Sequence, residues 1–216
     1  ERLRRFVDDR TLMLAAISHD LRTMLTRLKL RAEFIDDAEQ QAKAISDLDE
    51  MQAMLDSTLA FARDDAAEEP RTQTDLAALV QSLCDDMADA GQPVSCETDG
   101  RLAYVCAPGA IKRAVQNIVV NAIKYGVSAS VEVSEEADRI DIAVTDRGPG
   151  IPADRREDVF RPFFRLETSR NRETGGSGLG LAVARSIARR HGGDIVLEDA
   201  GDGGLTVRLS LPHTPM

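Results

Sequence analysis

Five stretches of this 216-residue chain carry side chains whose types and spacing could do chemistry. The first is Ser18-His19-Asp20-Leu21-Arg22-Thr23-Met24-Leu25-Thr26-Arg27. Ile17 and Leu21 belong to an apolar helical stripe. At about 100° per residue, His19 lies roughly 200° from each of them, so its imidazole is expected on the outer face. A neutral imidazole nitrogen has a lone pair near neutral pH and can act as a nucleophile. A nearby carboxylate can fix its tautomer and take up its proton. Asp20 is the candidate, although adjacent helix residues do not face each other well. Thr23 lies one turn on and shares the face of His19. The same stretch also reads as a solvated helix face that happens to bear a His.

The other four stretches suit a nucleotide and its phosphates. Asn117 and Asn121 fall four apart on one helical face, continued by Lys124 and Tyr125. Amide oxygens are hard ligands that suit Mg²⁺, which prefers few protein donors plus phosphate oxygens, and Lys124 could meet a phosphate as a point charge. Asp146-Arg147-Gly148-Pro149-Gly150-Ile151 follows the half-buried pattern Ile140, Ile142, Val144. A carboxylate at a strand end can accept from the exocyclic amine of adenine, and the glycines let backbone approach a flat base. Phe160-Arg161-Pro162-Phe163-Phe164-Arg165 could anchor a flap over a ligand. Gly175-Gly176-Ser177-Gly178-Leu179-Gly180-Leu181 opens a helix, where free backbone N–H groups bind phosphate. It has neither the preceding strand of a dinucleotide fingerprint nor the Gly-Lys-Ser/Thr of a P-loop. Taken singly, the four also read as a polar helix face, a Gly-Pro-Gly turn, a loop pinned by aromatic contacts and a flexible glycine run.

Two kinds of element must position these residues. Phe6, Met13, Ile17, Leu21, Leu25, Leu28 and Ile35 recur at helical steps, as do Ile45, Leu48, Met51 or Gln52, Leu55, Leu59 and Ala62 after the polar break at 36–41. This predicts a helical hairpin whose two stripes are best covered by dimerisation into a four-helix bundle. Asp64–Thr72 is polar and contains Pro70, a linker signal. Beyond it the pattern predicts a helix from Asp75 to about Ala90 and strands near Val94–Thr98 and Tyr104–Val105. A helix over about 108–124 follows, then strands near Ala129–Ser134 and Arg139–Thr145. A helix over about 179–191 and strands near Asp194–Glu198 and Leu205–Leu211 complete the order. The fold class expected is α+β: the helical hairpin followed by one sheet covered by helices.

Bulk composition narrows the partners. The chain is 43% hydrophobic and 30% charged, enough for a core. Its net charge of -10 argues against a nucleic-acid binder. Cys84, Cys96 and Cys106 are odd in number and lack metal-type spacing, so they read as free thiols. No apolar run approaches about 18 residues, so neither a transmembrane helix nor a signal peptide is expected here. The opening Glu1-Arg2-Leu3-Arg4-Arg5-Phe6, without Met, reads as the interior of something longer.

Together, in this order, the motifs resemble the cytoplasmic core of bacterial two-component sensor histidine kinases, particularly the osmosensing EnvZ-like group. The resemblance covers nearly the whole chain. It implies a dimerisation and phosphotransfer domain at 1–69, a linker at 70–74, and at 75–216 an α/β-sandwich ATP-binding domain of the gyrase, heat-shock and histidine-kinase type. It implies His19 as the phosphorylated residue with Asp20 as its base, and Thr23 as a residue that positions water in a phosphatase reaction. Asn121 and Asn117 would bind Mg²⁺, Lys124 would meet the phosphates, and Tyr125 would belong to the nucleotide site. Asp146, Gly148, Gly150 and Ile151 would surround adenine. Phe164 and Arg165 would border a lid near 165–177, and Gly176, Ser177, Gly178, Leu179 and Gly180 would lie along the triphosphate. The resemblance further implies a homodimer, a cognate response regulator as phosphate acceptor, and a location as the cytoplasmic portion of an inner-membrane protein. ATP-hydrolysing members of the superfamily activate water with a Glu where Asn117 stands here. One departure concerns helix shape: the family usually has Pro where this chain has Met24, and Pro would bend the helix.

Overall fold

The computed structural model describes residues 20–64, 69–98, 100–166, 177–201 and 203–213, with backbone alone at 50, 53–54 and 56–64. The chain forms two compact units, Glu1–Glu68 with Glu167–Leu179, and Glu69–Leu166 with Gly180–Met216.

In the first unit, α1 is helical over 20–32 and α2 spans Ala38–Asp64. Asp37 starts α2: its Oδ1 accepts from the N–H of Glu39 at 2.9 Å and of Gln40 at 3.0 Å, satisfying two groups that a helix start leaves open. Lys29 of α1 pairs with Asp49 of α2, and Gln41 Nε2 donates to Glu33 O at 2.9 Å. Only part of the expected stripe is covered within one chain. Leu25 and Ala32 are each 5% exposed, whereas Leu21 and Leu28 are 41% and 45% exposed.

The second unit is a five-stranded sheet with helices on one face. Its strands are β2 (Val94–Thr98), β4 (Ala129–Glu135), β5 (Arg139–Thr145), β7 (Leu205–Pro212) and β6 (Asp194–Asp199), in the spatial order β2-β4-β5-β7-β6. β2 and β4 run parallel and the other neighbours antiparallel. Period-two patterning places Val131 opposite Val144, and Ile142 opposite Leu209, on the buried face. Three helices cover that face: α3 (Leu76–Asp89), α4 (Pro108–Gly126) and α5 (Gly180–Arg190). α3 begins as expected at Asp75, whose Oδ1 accepts from Ala78 N–H at 3.2 Å.

The linker read at 70–74 holds structure that the sequence did not announce. Thr72–Asp75 is a strand, β1, paired antiparallel with β3 (Ala103–Cys106), Thr72 opposite Cys106. Just before it, both carboxylate oxygens of Glu69 accept from the start of α4, from Gly109 N–H and Ala110 N–H at 2.9 Å each. Arg71 donates to Arg190 O at the end of α5. His191, 3% exposed, joins the same two helices. Its Nε2 accepts from Ala107 N–H at 3.2 Å and its Nδ1 lies 2.8 Å from Ile187 O, so the neutral ring carries its proton on Nδ1.

Candidate functional site

The site is built where the end of α4 meets the loop after β5 and the start of α5. α4 is a long amphipathic helix that buries Ile111, Val115, Ile118, Val119 and Ala122. This turns Asn117 and Asn121 to a half-buried flank, with Lys124 and Tyr125 following. Lys124 Nζ stands 5.1 Å from the centre of the Tyr125 ring, a cation–π distance.

Asp146 follows β5 and is 6% exposed. Its Oδ1 accepts from Gly148 N–H at 2.7 Å, and its own N–H donates to Leu205 O at 2.9 Å. Burial raises its pKa, partly offset by N–H donors of Gly148 and Leu205. α4 lies directly on this loop. A Cβ on Gly126 would come within 2.4 Å of Asp146 Cβ, and one on Gly148 within 2.7 Å of Tyr125 O. No side chain fits at either position. Gly204 also touches the loop, since a Cβ there would reach 2.0 Å from Asp146 O. Gly150, at φ +70°, needs the left-handed conformation that glycine adopts freely.

α5 brings its N-terminus to the same place. A Cβ on Gly180 would lie 3.5 Å from Asn121 Nδ2 and 3.8 Å from Asn117 Cβ. The start of a helix presents unpaired N–H groups and the positive end of its dipole. Behind it Arg185 stacks on the Phe160 ring at 4.3 Å. Arg185 also bonds Asp194 Oδ1 at 2.7 Å and Glu157 Oε1 at 2.6 Å. Phe163 is 58% exposed and holds φ +65°, a rare conformation for a bulky residue.

The structure therefore brings together Asn117, Asn121, Tyr125, Asp146, Gly148 and Gly180. Ile151, Phe164 and Arg165 are half-buried in the same unit. Ser177, Gly178 and Leu179 fall in the first unit by the division above, with Leu179 1% exposed. Asp20 and Thr23 are exposed on α1. His19 and Gly176 lie outside the described residues. Gly126 and Gly204 were missed from sequence. Gly126 directly continues the Asn117–Tyr125 run, which was the only signal available; Gly204 carries no local signal, because its neighbour is the distant Asp146 backbone.

Comparison with known proteins gives two family matches. Residues 106–215 match the family described as Histidine kinase-, DNA gyrase B-, and HSP90-like ATPase, and residues 9–67 match the His Kinase A (phospho-acceptor) domain. The sensor histidine kinase GtrS of Pseudomonas aeruginosa is 38% identical over 215 residues, which is 99% of this chain and 44% of GtrS. The histidine kinase domain of the Escherichia coli osmosensor EnvZ is 33% identical, with a TM-score of 0.53 over 69% of this chain and 93% of that one. Full-length ShkA in complex with AMPPNP shares the fold, with a TM-score of 0.71 at 23% identity over 94% of this chain and 46% of that one. The chain spans about half the length of the curated relatives it matches. Among the described residues no helix is long and apolar enough to cross a membrane. The chain belongs to the histidine kinase family, with a phospho-acceptor domain followed by an ATPase domain of the kinase, gyrase B and HSP90 type.

Proposed function

We propose that this chain is the catalytic core of a two-component sensor histidine kinase. It transfers the γ-phosphate of ATP to His19, then passes the phosphate to an Asp of a cognate response regulator. The observation that carries the reading is the meeting of Asn121, Asp146 and the start of α5 at one place. Asp146 has a free acceptor position for an adenine amine, and its bond to Gly148 fixes the carboxylate plane. Asn117 and Asn121 flank the start of α5, so phosphate oxygens held by its N–H groups would lie beside two amide oxygens. Among the described residues no group of three or more His, Cys, Asp or Glu could hold a metal. A Mg²⁺ would rest instead on Asn121 and Asn117 together with phosphate oxygens, where it would neutralise charge developing on the phosphates. Lys124 would add a cation beside them.

In the transfer itself the chain's part is positioning and proton handling. Asp20 takes the proton that leaves the His19 imidazole, and Thr23 positions water when phosphate is removed from the partner. Hydrolysis of ATP by the chain alone is disfavoured because Asn117, where a hydrolase needs a basic Glu, cannot accept a proton. The boundary between the two domains falls before Glu69, because Glu69 already caps α4. The acting form is a homodimer on the cytoplasmic side of a membrane protein. Incubation with γ-labelled ATP should give an acid-labile, alkali-stable label that vanishes in His19→Gln. Label that survives that replacement would sink the proposal.

A further inference from the structure

Two thiols of the second unit meet where the proposed phosphotransfer makes no use of them. α3 buries Val80, Leu83, Cys84 and Met87 on one face and packs on β2. In β2, the inward positions are Val94, Cys96 and Thr98. The chain turns between the two elements through Gly91, at φ +81°, whose N–H donates to Ala88 O at 2.8 Å. Cys84 lies about six helical residues before that turn, or ~9 Å. Cys96 lies about three strand residues after it, or ~10 Å. The two side chains therefore stand at one level on packed elements, close enough for each thiol to perturb the other. Cys84 is 2% exposed and Cys96 is half-buried, so solvent reaches Cys96 first.

We propose that Cys84 and Cys96 form a modification site: a reversible disulfide made by a peroxide, which clamps the edge strand β2 to α3. The step balances with the peroxide as the only oxidant. Cys96 thiolate attacks the peroxide oxygen, the O–O bond breaks, and Cys96 becomes a sulfenic acid as hydroxide or alkoxide leaves. Cys84 sulfur then attacks Cys96 sulfur. The S–S bond forms, the S–O bond breaks, and the Cys84 proton leaves with the hydroxyl as water. The division of labour suits the pair. The neighbouring Cys84 thiol holds Cys96 below its ordinary range, whereas Cys96 and burial push Cys84 up, making Cys84 the resolving partner. A dithiol reverses the reaction. Cys106, on β3 and fully buried, takes no part.

The sequence makes the test direct. No Lys or Arg lies between Arg71 and Arg101, so trypsin leaves Cys84 and Cys96 on one peptide, while Cys106 falls on the next, ending at Lys112. The full chain is reduced, freed of reductant, treated with hydrogen peroxide, denatured with iodoacetamide present, and digested. The 72–101 peptide should be unalkylated and about 2 Da lighter than its reduced form, Cys106 should be alkylated, and prior dithiothreitol should restore two alkylations. In Cys84→Ala, dimedone should label Cys96. Full alkylation of the 72–101 peptide after peroxide overturns the proposal, as does oxidation at Cys106 or a link between chains. The wild-type measurement decides the matter even if the variant does not fold.

Discussion

At the scale of single residues, the site separates glycines that the fold needs from one that a ligand would need. Gly126 and Gly148 are packed so closely by Asp146 and Tyr125 that any side chain displaces backbone. Gly180 faces Asn121 across 3.5 Å, ordinary contact that a methyl group can occupy. Gly126→Ala should therefore lower the thermal midpoint by a shift worth about 2 kcal/mol or more. Gly180→Ala should leave the midpoint nearly unchanged but weaken ATP binding by crowding the start of α5. Differential scanning fluorimetry with and without Mg·ATP measures both. Asp146→Asn keeps an oxygen for Gly148 N–H and so should fold. Its amide also retains one acceptor oxygen in place of two, so ATP affinity read by calorimetry should fall about tenfold or more, ~1.4 kcal/mol. The types and spacing of Asn117, Asn121, Asp146 and Gly180 made them legible in the sequence. Gly126 and Gly204 were not, because their need for glycine arises from backbone that comes near only when α4 lies on the loop after β5.

Whole elements were legible wherever burial imposes a period. The alternation in β7 and the stripes of α3 and α4 match the buried faces, whereas β5, read as half-buried, is buried throughout 140–144, Asp141 and Ala143 included. β1 escaped because Thr72-Gln73-Thr74-Asp75 has no apolar alternation; its partner β3 supplies the pairing from a distant stretch of chain. α5 is held at both flanks. Burial alone would raise the Asp194 carboxyl, yet bonds from Arg185 and Arg189 hold it at about 2. Replacing Arg185 by Met removes its own bonds to Asp194 and Glu157 and the stacking on Phe160, leaving the Arg189 bonds to Asp194. It should cost about 1–2 kcal/mol of stability, measured by urea unfolding. His191 gives the element its pH response. Burial depresses its pKa below 6.5 despite the Ile187 carbonyl. The folded state thus binds fewer protons than the unfolded one there. Its stabilising effect is complete above 6.5 and is lost as pH falls through that value toward the depressed one. Melting at about pH 7.5 and about pH 5.5 should show an acid drop that shrinks in His191→Gln. An equal drop in both proteins would contradict this role.

For the molecule as a whole, the half-covered stripe of α1 governs assembly. Leu21 and Leu28 stay open in a single chain, and a second hairpin is the expected cover. Sedimentation should give twice the 23.5 kDa chain mass, and Leu28→Glu should shift it toward one. Met24, 56% exposed on α1, sits where the resembled family bends this helix with Pro. Met24→Pro removes an amide donor from the interior of α1, at a cost of about 3 kcal/mol to a straight helix. It should change the ratio of kinase to phosphatase rates; two unchanged rates would refute a link between helix shape and that balance.

Glu69 and Arg71 together decide where this protein can be cut. One closes the open start of α4 and the other the open end of α5, although neither belongs to a helix. A shortened protein beginning at Glu69 keeps both closures, whereas one beginning at Thr72 keeps every strand and helix of the sheet unit and loses both. The longer version should melt several degrees higher, and adding three residues would do more for crystals or spectra of the isolated ATPase unit than any change in its core.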